Sequence, residues 1–200
     1  MNKFIRCLAA GLALTGSTAA LALNVGQPAP DFALPDLAGR AVKLSDLKGK
    51  FVVLEWVNPE CPYVQKHYNS ANMQGLQKEF GAKNVAWLAI NSTREGHSEF
   101  KSPQQMGAWM KQAGGAPAAT LLDRDSKVGR LYGAVTTPHM YIIDPKGTLV
   151  YIGAIDDKRS TRVEDVKTAK NYVRAALGES MGGKPVSTAS TTPYGCTVKY

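Results

Sequence analysis

The sequence predicts an α/β domain: a central mixed β-sheet flanked by helices, with an N-terminal β-hairpin leading into it. Three observations carry that expectation. Short apolar runs rich in strand formers, Phe51-Val52-Val53-Leu54, Val85 to Ile90 and Met140-Tyr141-Ile142-Ile143, read as buried strands. Longer segments with helical start and stop signals alternate with them. Asp144-Pro145-Lys146-Gly147 is a turn sequence that folds the last strand back on its neighbour. With 200 residues, of which 44% are hydrophobic, the chain encloses one core more readily than two.

Taken in order, Pro28 and Pro30 keep the segment before Phe32 out of a helix, and Phe32 and Leu34 begin an apolar alternation. Ala41 to Leu44 returns after the Ala38-Gly39-Arg40 turn, which makes the hairpin, and Ser45 to Lys48 is a helical turn closed by Gly49. After the strand at Phe51, Asn58-Pro59-Glu60 breaks the chain and Pro62 starts a helix expected to run to Phe80. Further helices are expected over 103–112, through Val128 to Tyr132, and over 161–177, with strands at Thr120-Leu121-Leu122 and Leu149 to Ile152. Beyond Leu177 the composition turns to Gly, Ser and Thr, so 178–200 reads as a flexible arm. Its tip, Tyr194 to Tyr200, carries aromatics and a cysteine that an idle tail has no use for.

Residues 1–22 have a different pattern. Lys3 and Arg6 precede an apolar run from Cys7 to Leu14 and an Ala20-Leu21-Ala22 site, as in a secretory signal, so the folded domain is expected over 23–177 and the protein is expected to be secreted or periplasmic. The apolar run is too short for a stable membrane span. Losing Lys3 and Arg6 lowers the formal charge from +8 to +6. A thinly spread cationic surface of this kind lacks the dense basic run of a nucleic-acid binder.

Only Cys61 and Cys196 remain after such processing, in a compartment where disulfides persist. They are a redox pair, one structural staple, or two unrelated thiols. Cys61 falls at a strand-to-helix transition, where backbone donors and the positive end of a helix favour a thiolate; the bland alternative is an inert core cysteine. Val64 stands where a local dithiol would need its second cysteine, so any partner is Cys196, able to resolve a mixed disulfide or an oxidised Cys61. As a permanent staple the same pair would close a long loop, worth about 4 to 5 kcal/mol in the entropic picture. Thr137-Pro138 is a candidate cis peptide, with an ordinary trans turn as its alternative, whose Thr137 backbone would align a thiol or peptide substrate. Trp56, Asn58, Tyr63, Lys66 and His139 are candidates for the pocket around the sulfur. His67 reads as a surface histidine and His97 as a loop residue. No compact ligand string for a metal and no cofactor motif is present.

The run Asn24-Val25-Gly26-Gln27-Pro28-Ala29-Pro30-Asp31-Phe32, the segment Trp56 to Val64 and Thr137-Pro138-His139 together resemble the redoxin, or alkyl hydroperoxide reductase/thiol-specific antioxidant, family of the thioredoxin superfamily. The ending Tyr194 to Tyr200 is similar to that of a peroxiredoxin-like subgroup. The resemblance implies a thioredoxin-like fold, with Cys61 as the first cysteine of the usual local pair and Pro138 as the cis-proline. It implies a thiol-disulfide oxidoreductase acting on a thiol or disulfide substrate, with an external electron donor such as a thioredoxin-like protein. A peroxiredoxin-like thiol peroxidase is the enzymatic alternative, although the Pro-x-x-x-Thr/Ser-x-x-Cys setting of a typical peroxiredoxin is missing before Cys61. A non-catalytic binding module stabilised by the disulfide is the third.

Overall fold

The computed structural model describes residues 23–200; the secretory signal expected at 1–22 lies outside them. The leading hairpin pairs β1 (Ala33–Pro35) with β2 (Ala41–Lys43), and a short 3-10 turn, Leu44–Leu47, follows. The main sheet has five strands in the order β5-β4-β3-β7-β8: β3 (Val52–Trp56), β4 (Ala86–Asn91) and β5 (Ala119–Leu122) run parallel, while β7 (His139–Ile143) and β8 (Leu149–Gly153) are antiparallel. The helices are α1 (Pro62–Asn69), α2 (Asn72–Gly81), α3 (Pro103–Gln112), α4 (Lys127–Tyr132) and α5 (Tyr172–Met181). This is the thioredoxin-like α/β arrangement expected from the sequence.

All five residues of β3 are buried, as a central strand covered on both faces requires. Alternation splits them. Val53 joins the core with Val64, Tyr68, Leu76, Met140 and Val173, beneath α1, α2 and α5; Val52, Leu54 and Trp56 join Leu88, Tyr132 and Tyr141 on the opposite face.

Three expectations about local structure give way. The helix foreseen from Pro62 to Phe80 is broken, with Ser70 closing α1 and Ala71 in the left-handed region at φ 57°. The break has a packing reason. Residues 68 and 77 of one straight helix would point to opposite sides, whereas here the Tyr68 hydroxyl (3.0 Å) and Gln77 Nε2 (3.3 Å) both donate to the buried Glu55 carboxylate, joined by Trp87 Nε1 at 2.8 Å. The last helix is also divided, into a 3-10 segment Val163–Thr168 and α5, which begins where Asn171 Oδ1 accepts from the Arg174 backbone N–H at 2.8 Å.

The arm read as flexible is docked. Ile152 N–H donates to Ala189 O (3.1 Å) and Thr191 N–H to Ile152 O (3.0 Å), so the arm covers the otherwise open edge of β8. Gly153, at φ 150°, permits this approach, since a Cβ there would collide with Thr191. Composition registers few apolar residues in the arm, but it is blind to the backbone pairing that holds it. Among the described residues no helix is long and apolar enough to cross a membrane.

Glu55 is the costly feature of this core. Burial raises its carboxyl to about 7, against the opposing hydrogen bonds from Trp87, Tyr68 and Gln77. The folded state thus binds a proton that the unfolded state releases from about pH 4.5 upwards, and the associated stability is lost as pH rises through 7. Glu55→Gln, neutral throughout, is expected to gain on the order of 3 kcal/mol relative to wild type between pH 4.5 and 8, measured by urea denaturation. A pH-independent difference would contradict the burial argument.

Candidate redox site

The turn before α1 places Cys61. Asn91 Nδ2 holds the Val57 carbonyl at 2.9 Å, Asn58 Oδ1 accepts from the Glu60 backbone N–H at 3.0 Å, and the Cys61 N–H closes the turn on Asn58 O at 3.1 Å. Cys61 is the N-cap of α1, with Pro62 as the first helical residue, and its carbonyl accepts the first helical bond from Gln65 N–H at 2.9 Å. No side chain caps the first backbone donors of this helix, so its positive end is open beside the cysteine.

Opposite stands Thr137-Pro138, whose peptide bond is cis. It follows the two-residue strand β6 (Thr136–Thr137), which pairs antiparallel with β9 (Cys196–Thr197) in the register Thr137 to Cys196. That pairing delivers the second sulfur. Cys61 Sγ lies 2.9 Å from the Thr137 carbonyl oxygen and 2.7 Å from Cys196 Sγ, and both cysteines are free thiols. The chain presses so closely at Gly195, φ 145°, that a Cβ there would collide with the Thr137 carbonyl group. Cys61 is only 1% exposed, set in the core cluster with the Cys196 sulfur of the tail against it. Burial, followed by the hydrogen bond and charge of Cys61, pushes the Cys196 thiol up to about 12, so Cys196 holds its proton while docked.

Tail contacts continue on both sides of the pair. Val198 N–H donates to Val135 O (3.2 Å), Arg94 N–H to Lys199 O (3.0 Å), and the Tyr200 hydroxyl to Ala134 O (2.5 Å). Upstream, Tyr194 is buried with its ring edge-on to Tyr63, at 5.8 Å between centroids.

The residues expected around the sulfur separate into two groups. Thr137, Pro138, Asn58, Tyr63 and Cys196 belong to this end of the molecule as described. Trp56 does not pack with Cys61: it lies in the opposite-face cluster, its Nε1 donating to Ser92 Oγ at 3.0 Å, and His139, paired across from it, stacks near Tyr141 at 4.6 Å. Burial lowers His139 to about 4. Lys66 is no rim residue either; it is fully buried, with Nζ 3.3 Å from Asp156 Oδ2, 2.7 Å from Lys158 O and 3.3 Å from the Tyr194 hydroxyl. His67, expected at the surface, is also buried, 3.4 Å from the same hydroxyl, and desolvation lowers it to about 4. An amphipathic reading of α1 misses this because segments remote in sequence, the Asp156 to Lys158 stretch and Tyr194 of the tail, meet its polar face. Asp156, Tyr194 and Glu55 are the partners sequence reasoning did not assign. The tip's aromatics were the only pointer to Tyr194. Among the described residues no group of three or more His, Cys, Asp or Glu is arranged to hold a metal ion.

The model of the AhpC/TSA family matches residues 25–152. The chain belongs to the AhpC/TSA family. Among curated members of the wider group, it is 30% identical over 154 residues to the thioredoxin-like protein YneN of Bacillus subtilis, covering 76% of this chain and 85% of that one. It is 30% identical over 130 residues to the thiol-disulfide oxidoreductase ResA of the same organism, covering 65% and 67%. Among solved structures, an uncharacterized conserved protein from Geobacillus kaustophilus superimposes with a TM-score of 0.76 at 29% identity, covering 88% of this chain and 92% of its own. A hypothetical protein from Sinorhizobium meliloti also gives 0.76, at 26% identity, with 90% and 96% covered. Both structural matches extend well past the segment shared with the family model, which stops at residue 152.

Because Gly195 is the close-approach point, Gly195→Ala is expected to lift β9 from β6 and expose Cys61. Peptide-mapped alkylation of Cys61 by iodoacetamide in the reduced protein should accelerate at least about tenfold, the size of a local strain near 1.4 kcal/mol. Unchanged protection of Cys61 would show that the tail is not its cover.

Proposed function

We propose that the protein is an exported thiol-disulfide oxidoreductase in which Cys61 attacks and Cys196 resolves. Its main support is the pair of sulfurs 2.7 Å apart, brought together across the fold by β6–β9 pairing at Thr137. Similarity to relatives named thiol-disulfide oxidoreductases agrees with it, and the leader-like residues 1–22 support export.

The reaction begins with the tail lifted, since Cys61 is buried and in contact with Cys196 while the tail is docked. The Cys61 thiolate, at the open end of α1, attacks one sulfur of a substrate disulfide. A Cys61–substrate disulfide forms, the substrate S–S bond breaks, and the departing thiolate takes up a proton. Thr137 and the cis Pro138 are the substrate-positioning residues in this scheme, with the β6 edge offering the hydrogen bonds that β9 uses when docked. The tail then returns, Cys196 loses its proton to the leaving substrate thiolate, and the Cys61–Cys196 bond forms. Two electrons have passed to the substrate. An external dithiol, such as a thioredoxin-like partner, restores the two thiols by the same exchange.

In a coupled assay of peptide-disulfide reduction, Cys61→Ser should abolish turnover. Cys196→Ser should lower it about a hundredfold or more while accumulating a substrate adduct on Cys61, detectable by intact-mass spectrometry. Wild-type turnover in Cys196→Ser would remove the resolving cysteine from the mechanism. Peroxide-driven turnover, with a sulfenic acid trapped on Cys61, would favour the peroxidase instead.

A further inference from the structure

The hydroxyl of Tyr194 lies in a one-way chain of hydrogen bonds that ends on Asp156. It starts at the N-cap of α5, where Asn171 Oδ1 accepts from the Arg174 backbone N–H. That fixes the amide, so Asn171 Nδ2 is the group that donates to Asn72 Oδ1 at 3.2 Å. Asn72 must then present Nδ2 to His67 Nδ1, at 2.9 Å, which makes Nδ1 the bare nitrogen and leaves the proton on Nε2. Nε2–H donates to the Tyr194 oxygen (3.4 Å), as does Lys66 Nζ (3.3 Å). With two donors received, the phenol's own hydrogen goes to Asp156 Oδ1.

The domain body therefore fixes the His67 tautomer, and the docked pocket presents two donors and one acceptor, which the phenol of Tyr194 satisfies. Apart from Tyr194, each member lies on the domain body: Lys66 and His67 on α1, Asn72 on α2, Asp156 after β8 and Asn171 before α5. Tyr194 is two residues from Cys196, and the Gly195 between them lets the chain press on Thr137.

We infer that Tyr194 is the positioning residue of the tail: seated in the Lys66, His67 and Asp156 pocket, it sets the local concentration of Cys196 at Cys61. Resting on the oxidoreductase reading above, this assigns the anchor two opposed effects. Docking shields Cys61 from outside disulfides and so slows the first exchange. It also speeds the second, in which the Cys196 sulfur attacks Cys61 of the mixed disulfide, forms the Cys61–Cys196 bond and expels the outer thiolate, which takes the proton Cys196 gives up.

The test uses the full chain and oxidised glutathione. Tyr194→Phe keeps the ring and removes one oxygen, and Asp156 Oδ1 retains the Lys158 backbone N–H at 2.9 Å. Loading of Cys61 by glutathione, measured in a Cys196→Ser background, should become about tenfold faster, the scale of one hydrogen bond to a charged group. Resolution, read as glutathione release with Cys196 present after rapid acid quench, should become about tenfold slower. Asn72→Ala, which leaves Tyr194 in place and frees the His67 tautomer together with the Asn171 amide, should move both rates in the same senses by about two- to threefold, as for a neutral hydrogen bond. Tyr194→Phe rates that fail to move in opposite directions, in a protein whose wild type resolves normally, overturn the assignment. A wild type that loads Cys61 but never forms the Cys61–Cys196 bond overturns the oxidoreductase reading, and this assignment with it.

Discussion

The pairing of β9 with β6 at Thr137 is the interaction on which the chemistry of this molecule depends. It is only two residues long, yet it places Cys196 against Cys61 across 135 positions of sequence. A sheet ladder of two residues is weak alone. Here it is clamped on both sides, by Tyr194 in its polar pocket upstream and by Val198, Lys199 and Tyr200 downstream, on the opposite face of the sheet. The tail passes from one core cluster to the other over the end of the sheet. Its docking is consequently sensitive to the packing of both.

This arrangement replaces a local dithiol with a remote one. In a local pair the second sulfur sits on the same helix and is always at hand; in this chain Val64 occupies that place and is buried in the core. Supplying the second sulfur from a docked segment adds a requirement, because the strand that carries it also covers the first. On the proposed mechanism the same few hydrogen bonds govern both access and resolution. They do so beside charges already paired on the domain body: Lys66 and Asp156 are buried together, and removing either one would leave the other uncompensated at a cost of about 3 to 5 kcal/mol.

The order of strands and helices, the hairpin and the strand-to-helix position of Cys61 were legible in the sequence, because each is written in local signals: apolar runs, proline at a helix start, a turn tetrapeptide; the cis Thr137-Pro138 bond was legible only from its place in the alternating layout. The exceptions have one common cause. Ala71 interrupts a good helical pattern so that Tyr68 and Gln77 can share Glu55, and nothing between residues 62 and 80 reports that distant carboxylate. His67 reads as a surface residue and Lys66 as a rim residue until Asp156, Lys158 and Tyr194 are brought against them. The arm looks like a linker because glycine and serine are counted as flexible, whereas Gly153 and Gly195 mark points where two backbones meet closely. Local sequence reported the elements, and the long-range polar contacts that complete the site remained outside its reach.

The central claim is that Cys61 and Cys196 form one reversible two-electron couple in the folded protein. The most direct measurement is peptide mapping of the native chain, alkylated after equilibration across a series of glutathione redox buffers. The account predicts a single transition in which the Cys61 and Cys196 peptides become linked together, with the fold intact at both ends of the series. Two separate thiols at every potential, or a bond that yields to reductant only when the protein unfolds, would contradict it.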